Sequence, residues 1–410
     1  MTKLSLSKEK IKVVLLEGVH PDAEKLFKQD GYHNIHIFNN TPNDEELREI
    51  LSDTHILGIR SRTQLKGQNL AACNKLMAVG TFCIGTNQVD LDACKIQGIP
   101  VFNAPFSNTR SVAELVMAEI ILLLRGIPEK NAKAHKGQWL KSAINSNETR
   151  GKTLGIVGFG HIGSQLSVLA EAMGMHVKYY DIENKLPLGN SQAVNSLHEL
   201  LPQVNVLSVH VPDTEQTRQM IGAKELALLP QGAFMINAAR GQVVVIDDLV
   251  DSLKSGHLNG AAIDVFPVEP ASNQEPFISP LTDFDNVILT PHIGGSTQEA
   301  QVNIANEVAD KLIKYSNNGS TSSAVNFPEV SLPALHEELT RVMHIHKNKP
   351  GILEKINHAF SSQKINIAAM YLQTSGDVGY VIMDVNCESS ESIVKRLNDI
   401  DGTIRVRVLH

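Results

Sequence analysis

The sequence predicts an α/β protein with two doubly wound parallel sheets and a small βαββαβ unit at its C-terminal end. Three observations carry that expectation. Short apolar runs alternate with helix-like stretches from the beginning, and a glycine-rich turn restarts the alternation near residue 158. The order strand, helix, strand, strand, helix, strand then fills about seventy residues at the end, which is the ferredoxin-like arrangement.

The first sheet is read from apolar runs at 11–16, 35–38, 56–59, 76–79 and 101–102, with helices after Pro21 and after Pro42. Residues 115–124 form the longest apolar block, but Glu119 interrupts it and it is too short to span a bilayer. Ser111-x-x-Glu114 reads as a capping box, so the block is expected to be a buried helix. The second sheet follows at 154–157, 177–180, 206–209, 234–237, 261–264 and 287–289. Residues 297–315 have helical spacing, and the polar stretch 316–323 reads as a linker. Strands are then expected at 341–346, 365–373, 380–385 and 404–409, with helices at 350–361 and 390–399.

Gly158-Phe159-Gly160-His161-Ile162-Gly163 follows the strand at 154–157 directly. The first glycine permits a tight turn, the second lets backbone approach a pyrophosphate, and the third brings the helix against the sheet. The helix N-terminus then offers unpaired N–H groups to the anion. Asp181 ends the next strand, eighteen residues after Gly163, where a carboxylate accepts hydrogen bonds from both ribose hydroxyls. A 2′-phosphate would be repelled there, so NAD is expected rather than NADP. The fold class is therefore two Rossmann-like units plus the ferredoxin-like one, and the fingerprint opens the second unit.

The chain has 410 residues, 42% hydrophobic and 20% charged, so two or three domains are expected. A net charge of −7 argues against a nucleic-acid or anionic-membrane role. The N-terminal residues carry no apolar core with a cleavage site, so export is not expected and the cytoplasm is. Cys73, Cys83, Cys94 and Cys387 form no C-x-x-C pair and no His/Cys cluster, so reduced thiols and no metal site are expected.

Three residues stand at or after strand ends beyond the fingerprint: Arg240 in Asn-Ala-Ala-Arg-Gly, Glu269 in Asp-Val-Phe-Pro-Val-Glu-Pro, and His292 in Thr-Pro-His-Ile-Gly-Gly. In an open α/β sheet the carboxyl ends of the strands face the ligand crevice. An arginine fork grips a carboxylate in two places. A histidine that titrates near neutrality exchanges a hydroxyl proton as hydride moves. A glutamate behind it fixes the tautomer and raises the histidine pKa. Together the three fit hydride transfer between a 2-hydroxy acid and its keto acid.

These segments, 158–163, 237–241, 264–270 and 291–295, resemble the D-isomer-specific 2-hydroxyacid dehydrogenase family. Within it the chain is most similar to the short bacterial branch that acts on D-3-phosphoglycerate and ends in an ACT domain. The resemblance covers nearly the whole chain. It implies a discontinuous substrate domain (1–109 and 296–335), an NAD domain (110–295) and an ACT domain (336–410). It makes Arg240, Glu269 and His292 the catalytic set. The implied cofactor shell is Gly158, Gly160, His161, Ile162, Gly163, Asp181, Ala238, Ala239, Arg240, Asp264, His292, Gly294 and Gly295, with Asp264 beside the nicotinamide amide.

The same resemblance implies a substrate grip at Arg60 and Arg62 with Asn108 alongside, and at Trp139 and Lys141 on an arm that reaches a neighbouring subunit. It implies an L-serine site at His346, Asn348 and Asn366, and a homotetramer. The expected reaction is oxidation of D-3-phosphoglycerate to 3-phosphohydroxypyruvate, with 2-hydroxyglutarate as a side substrate. Relatives carry a glycine pair before the ACT domain where Glu337-Glu338 stands here, which implies a stiffer linker. Two rival readings remain at this stage: a dehydrogenase of another 2-hydroxy acid, and an NAD(H)-sensing, corepressor-like binding protein. An intact triad and a regulatory tail count against the second.

Overall fold

The computed structural model describes residues 6–270, 274–336, 338–386 and 391–409; Glu337 and Cys387 lie outside them. The chain divides into two compact units, 1–107 with 301–410, and 108–300.

In the first unit β1 (Val13–Leu15), β2 (Ile35–Ile37), β3 (Ile56–Ile59), β4 (Ala78–Thr81) and β5 (Val101–Phe102) form a parallel sheet in the order β2-β1-β3-β4-β5. Its central strands are buried on both faces, which is why they read as unbroken apolar runs. Val308 and Leu312 from the long helix Gln298–Asn318 press on one face, and a side chain at Gly80 would run into both.

The second unit holds β6 (Thr153–Val157), β7 (His176–Tyr180), β8 (Gln192–Ala193), β9 (Val206–Val209), β10 (Ala233–Asn237), β11 (Leu258–Ile263) and β12 (Val287–Leu289). They pair in parallel in the order β12-β11-β10-β9-β6-β7-β8, so the direction of winding reverses between β6 and β9. Ligands of such sheets bind outside the carboxyl ends at that reversal. The sequence reading missed β8, whose two residues are exposed and carry no apolar signal.

The apolar helix is Thr109–Leu124, and its start corrects the capping-box reading. Asn108 is the N-cap residue, so Ser111 already lies inside the helix. The Ser111 hydroxyl bonds Thr297 Oγ1 at 2.7 Å, and Glu114 pairs with Arg110 at 2.5 Å.

The third sheet is antiparallel, β14-β15-β13-β16, from β13 (Thr340–Lys347), β14 (Asn366–Ser375), β15 (Val378–Asn386) and β16 (Thr403–Leu409). Helices Ile352–Ser361 and Glu391–Asn398 cover one face through Ile356, Phe360, Ile393 and Leu397. Phe327, Val330 and Leu332 cover the other, against Met343, Tyr380 and Ile382. Residues 316–323 are therefore not a solvated linker: Ser316, Ser320 and Thr321 are buried, and Tyr380 donates its hydroxyl to Gly319 O at 2.8 Å. Their polarity serves buried backbone pairing, which composition alone cannot distinguish from exposure. Arg341, fully buried, donates to both Asp384 oxygens at 2.6 and 2.7 Å and to the carbonyls of Asn318 and Pro333.

Candidate active site

In the second unit the fingerprint has the geometry its glycines require. Gly158 has φ +92°, and a side chain there would strike the His210 carbonyl. One at Gly163 would strike the carbonyl of Gly158, so the helix His161–Ala172 can lie this close to the turn only without it. Gly160 faces open space on its Cβ side and carries no side chain to occupy the first-turn N–H groups. These features fit a dinucleotide pyrophosphate. Asp181 follows β7 and accepts from the Phe159 N–H at 2.7 Å and the Glu183 N–H at 2.9 Å. Each carboxylate oxygen keeps a second lone pair for a ribose hydroxyl.

The residues at the other strand ends come together. After β10, Asn237 ties its own loop by accepting from the Ala239 N–H (3.1 Å) and donating to Arg240 O (3.0 Å). A side chain at Gly241 would overlap the Phe266 carbonyl, so this glycine lets the Arg240 loop close on the Glu269 loop. Arg240 is half-buried, and its Nη1 donates to Ala239 O at 2.6 Å.

Asp264, 1% exposed, directly follows β11. Its Oδ1 accepts from Thr290 Oγ1 (2.6 Å) and the Ile293 N–H (2.8 Å), and its Oδ2 from the Gly294 N–H (2.8 Å). Its carbonyl also accepts the His292 N–H at 2.8 Å. The carboxylate expected beside the nicotinamide thus holds the loop that carries His292. That loop is bent enough to put His292 at φ +54°, a region costly for a side-chain-bearing residue. Thr290, which the sequence reading missed, belongs to the same lock.

His292 Nδ1 lies 2.9 Å from Glu269 Oε2 and 3.1 Å from Oε1, and Oε1 also accepts the Phe266 N–H. The glutamate hydrogen bond raises the His292 pKa, against burial, which lowers it. Burial alone would raise the Glu269 pKa. The His292 and Phe266 hydrogen bonds, with the His292 and Arg240 charges, outweigh it and bring the value down.

Other expected positions are more scattered. Asn108 is buried at the N-cap, with its side chain against Gly295 and no partner for Oδ1. Trp139 is 88% exposed and Lys141 is also exposed, on the segment after helix Ile127–His135. Arg60 and Arg62 belong to the first unit, in the loop after β3. Arg60 donates to Gln301 Oε1 at 2.9 Å, and Arg62 is exposed. Of the expected effector residues, Asn348 and Asn366 are exposed, and Asn348 donates to Gly376 O at 3.0 Å. His346 is only 1% exposed, with its ring packed where a Gly379 side chain would stand. His344 and His346 face each other through Nδ1 at 3.2 Å, and His344 Nε2 bonds Thr403 Oγ1 at 2.8 Å. Burial and the neighbouring His346 push the His344 pKa down to about 4.

Among the described residues no cluster could hold a metal, and no helix is long and apolar enough to cross a membrane.

Comparison with known proteins gives the family. Residues 117–294 match the model for the D-isomer specific 2-hydroxyacid dehydrogenase NAD binding domain, and 342–405 match an AHAS small subunit-like ACT domain. The D-3-phosphoglycerate dehydrogenase of Haemophilus influenzae is 59% identical over 408 residues, covering 100% of this chain and 99% of the relative. That of Escherichia coli is 58% identical over 412 residues, with 100% of both covered. Among solved structures, D-lactate dehydrogenase from Aquifex aeolicus complexed with NAD and lactic acid aligns with TM-score 0.65 at 27% identity, over 75% of this chain and 96% of that one. D-2-hydroxyisocaproate dehydrogenase aligns with TM-score 0.68 at 25% identity, over 77% of this chain and 100% of that one. The chain belongs to the D-isomer specific 2-hydroxyacid dehydrogenase family and is an NAD-dependent oxidoreductase with a C-terminal ACT domain.

Proposed function

We propose that this enzyme oxidises D-3-phosphoglycerate to 3-phosphohydroxypyruvate, the first step of L-serine biosynthesis. The observation that carries the substrate is full-length identity of 58–59% to proteins named for it. The observation that supports the chemistry is the His292–Glu269 pair on its Asp264-locked loop.

Arg240 grips the substrate carboxylate with its planar fork and orients C2. Because Glu269 holds the Nδ1 proton of His292, Nε2 is the nitrogen that receives the hydroxyl proton. Glu269 stabilises the imidazolium that results. NAD, held by the Gly158–Gly163 turn and Asp181, would supply the acceptor for the C2 hydride, so that with the proton on His292 the hydroxyl becomes a carbonyl. Arg60 and Arg62 take the phosphate, with Asn108, Trp139 and Lys141 contributing to the substrate site, Lys141 from a neighbouring chain.

The domain assignment goes with this reading: 1–109 with 296–335 for substrate, 110–295 for NAD and 336–410 for the effector. L-Serine binds His346, Asn348 and Asn366 of the ACT domain and inhibits the enzyme, which acts in the cytoplasm as a homotetramer. 2-Hydroxyglutarate, a dicarboxylate that can use the same arginines, is a side substrate.

The test follows NADH oxidation by the purified protein with 3-phosphohydroxypyruvate, with and without L-serine. Turnover that serine suppresses supports both sites. Turnover that serine leaves alone removes the effector assignment. NADH binding without turnover overturns the substrate.

A further inference from the structure

The loop that bears Arg60 and Arg62 is organised by a residue the proposed chemistry leaves out. Glu17, just after β1, points its carboxylate into the backbone of residues 60–63. Oε1 accepts from the Thr63 N–H at 2.7 Å and the Arg60 N–H at 3.3 Å, and Oε2 accepts from the Arg62 N–H at 3.0 Å. Three converging N–H groups around one anion make the kind of nest that elsewhere receives phosphate. Here the protein's own carboxylate fills it, so the phosphate must be met by the side chains. The opposite side of the same loop is fixed as well, since Gln88 Nε2 donates to Arg60 O at 2.6 Å.

Glu17 reaches this position at a cost. Its φ is +63° and that of Gly18 is +62°, so two successive left-handed residues swing the chain off the end of β1. A non-glycine residue held so costs on the order of 1 kcal/mol or more, and such strain gathers at functional sites. Charge alone does not explain it. A carboxylate near a dianion is repulsive, so a Glu17 that only carried charge would weaken phosphate binding.

We propose that Glu17 is a positioning residue for the substrate phosphate: its carboxylate fixes the backbone of 60–63 so that the Arg60 and Arg62 guanidinium groups are presented together. The inference rests on the assignment of those arginines to the phosphate. Side chains held by a fixed backbone lose less freedom when they bind, so the effect belongs in substrate affinity and not in the chemical step.

The experiment compares Glu17→Gln, Glu17→Asp and Arg62→Ala with the parent enzyme, as full chains. NADH is oxidised with 3-phosphohydroxypyruvate and, separately, with hydroxypyruvate, the same keto acid without its phosphate. Glutamine offers one acceptor and turns an N–H donor toward another N–H donor; aspartate keeps the charge but is one methylene short.

Both Glu17 variants are expected to raise KM for the phosphorylated substrate about tenfold, equivalent to about 1.4 kcal/mol. Their kcat stays within about twofold, and KM for hydroxypyruvate and NADH affinity hold. Combining Glu17→Gln with Arg62→Ala is expected to raise KM by less than the product of the two single effects, since part of the Glu17 effect acts through Arg62 and the remainder through Arg60. A KM that falls or stays the same in Glu17→Gln, while Arg62→Ala raises it, overturns the inference and leaves the phosphate assignment standing. Equal damage with both keto acids makes Glu17 merely structural and also overturns it. If Arg62→Ala itself leaves KM for the phosphorylated substrate unchanged, the phosphate assignment fails instead. Should Glu17→Gln not fold, Glu17→Asp carries the same comparison.

Discussion

Nδ1 of His292 and Oε2 of Glu269 are 2.9 Å apart, and Glu269 also accepts the Phe266 backbone N–H. An ionised carboxylate has no proton to give, so the bridging hydrogen sits on His292 Nδ1. The neutral imidazole therefore has its lone pair on Nε2, and only the imidazolium carries a proton there.

That relationship fixes a pH dependence. The His292 pKa is raised and the Glu269 pKa lowered. The stabilisation from His292 is complete below its unfolded pKa and disappears as pH rises through the higher folded value. The stabilisation from Glu269 is present above its unfolded pKa and is lost as pH falls through the lower folded value. In the proposed relay keto-acid reduction draws on the imidazolium, so its kcat/KM is expected to fall as pH rises through the raised His292 pKa. Hydroxy-acid oxidation needs the neutral ring and is expected to rise there. Glu269→Gln keeps an acceptor without the charge, so both limbs should move to lower pH. His292→Ala should cost about 10²- to 10⁴-fold in kcat. Paired pH profiles in the two directions check this, and limbs that stay in place in Glu269→Gln would remove Glu269 from the relay.

Gly241 sets how close the Arg240 loop comes to the Glu269 loop, because any Cβ there overlaps the Phe266 carbonyl. Gly241→Ala must part the two loops, and a misplacement of about 1 Å costs up to about 10²-fold in rate. The expected result is a kcat/KM loss of at least about tenfold, with NADH affinity close to the parent's. Steady-state kinetics with a fluorescence titration of NADH separate the two. Parent-like kinetics would show that the loops accommodate the methyl group.

Arg240, Glu269 and His292 were legible in the sequence because each follows a strand whose apolar run is unmistakable. The lock beneath them was less so. Asp264 entered only through the family resemblance, and its bonds to Thr290, Ile293 and Gly294 span 26 to 30 residues of chain, which no local pattern encodes. Glu17 was missed for the same reason: its partners are 43 to 46 residues away. β8 was missed because two exposed residues carry no periodicity. Residues 316–323 were misread because polar residues that satisfy buried backbone look, in sequence, like polar residues in water.

Asp181 is expected to set the choice of cofactor. Its two oxygens are oriented by the Phe159 and Glu183 N–H groups, at 2.7 and 2.9 Å, so the carboxylate is held in place before any ribose arrives. Asp181→Ala removes both the acceptor for the ribose hydroxyls and the repulsion of a 2′-phosphate. The ratio of kcat/KM for NADH over NADPH should fall at least about tenfold, through losses with the first and gains with the second. A ratio that does not move would place the ribose elsewhere.

Glu119 makes a different kind of prediction, about stability. It lies in helix Thr109–Leu124, 2% exposed, and neither carboxyl oxygen has a hydrogen-bond partner. Burial, reinforced by the Asp264 charge, pushes its pKa up to about 8. In the folded protein the group is therefore largely protonated at neutral pH, whereas in the unfolded chain it ionises at the ordinary carboxylate value. The unfolded state releases its proton first, so this residue opposes folding increasingly as pH rises from the ordinary value toward 8, and the penalty levels off above that. Glu119→Gln fills nearly the same space and removes the titration. The variant should gain on the parent by on the order of 2 kcal/mol between pH 5 and pH 8 in urea unfolding, after discounting for relaxation around the buried group. A difference between variant and parent that stays flat over that range would mean that Glu119 is already ionised and paired in the folded state.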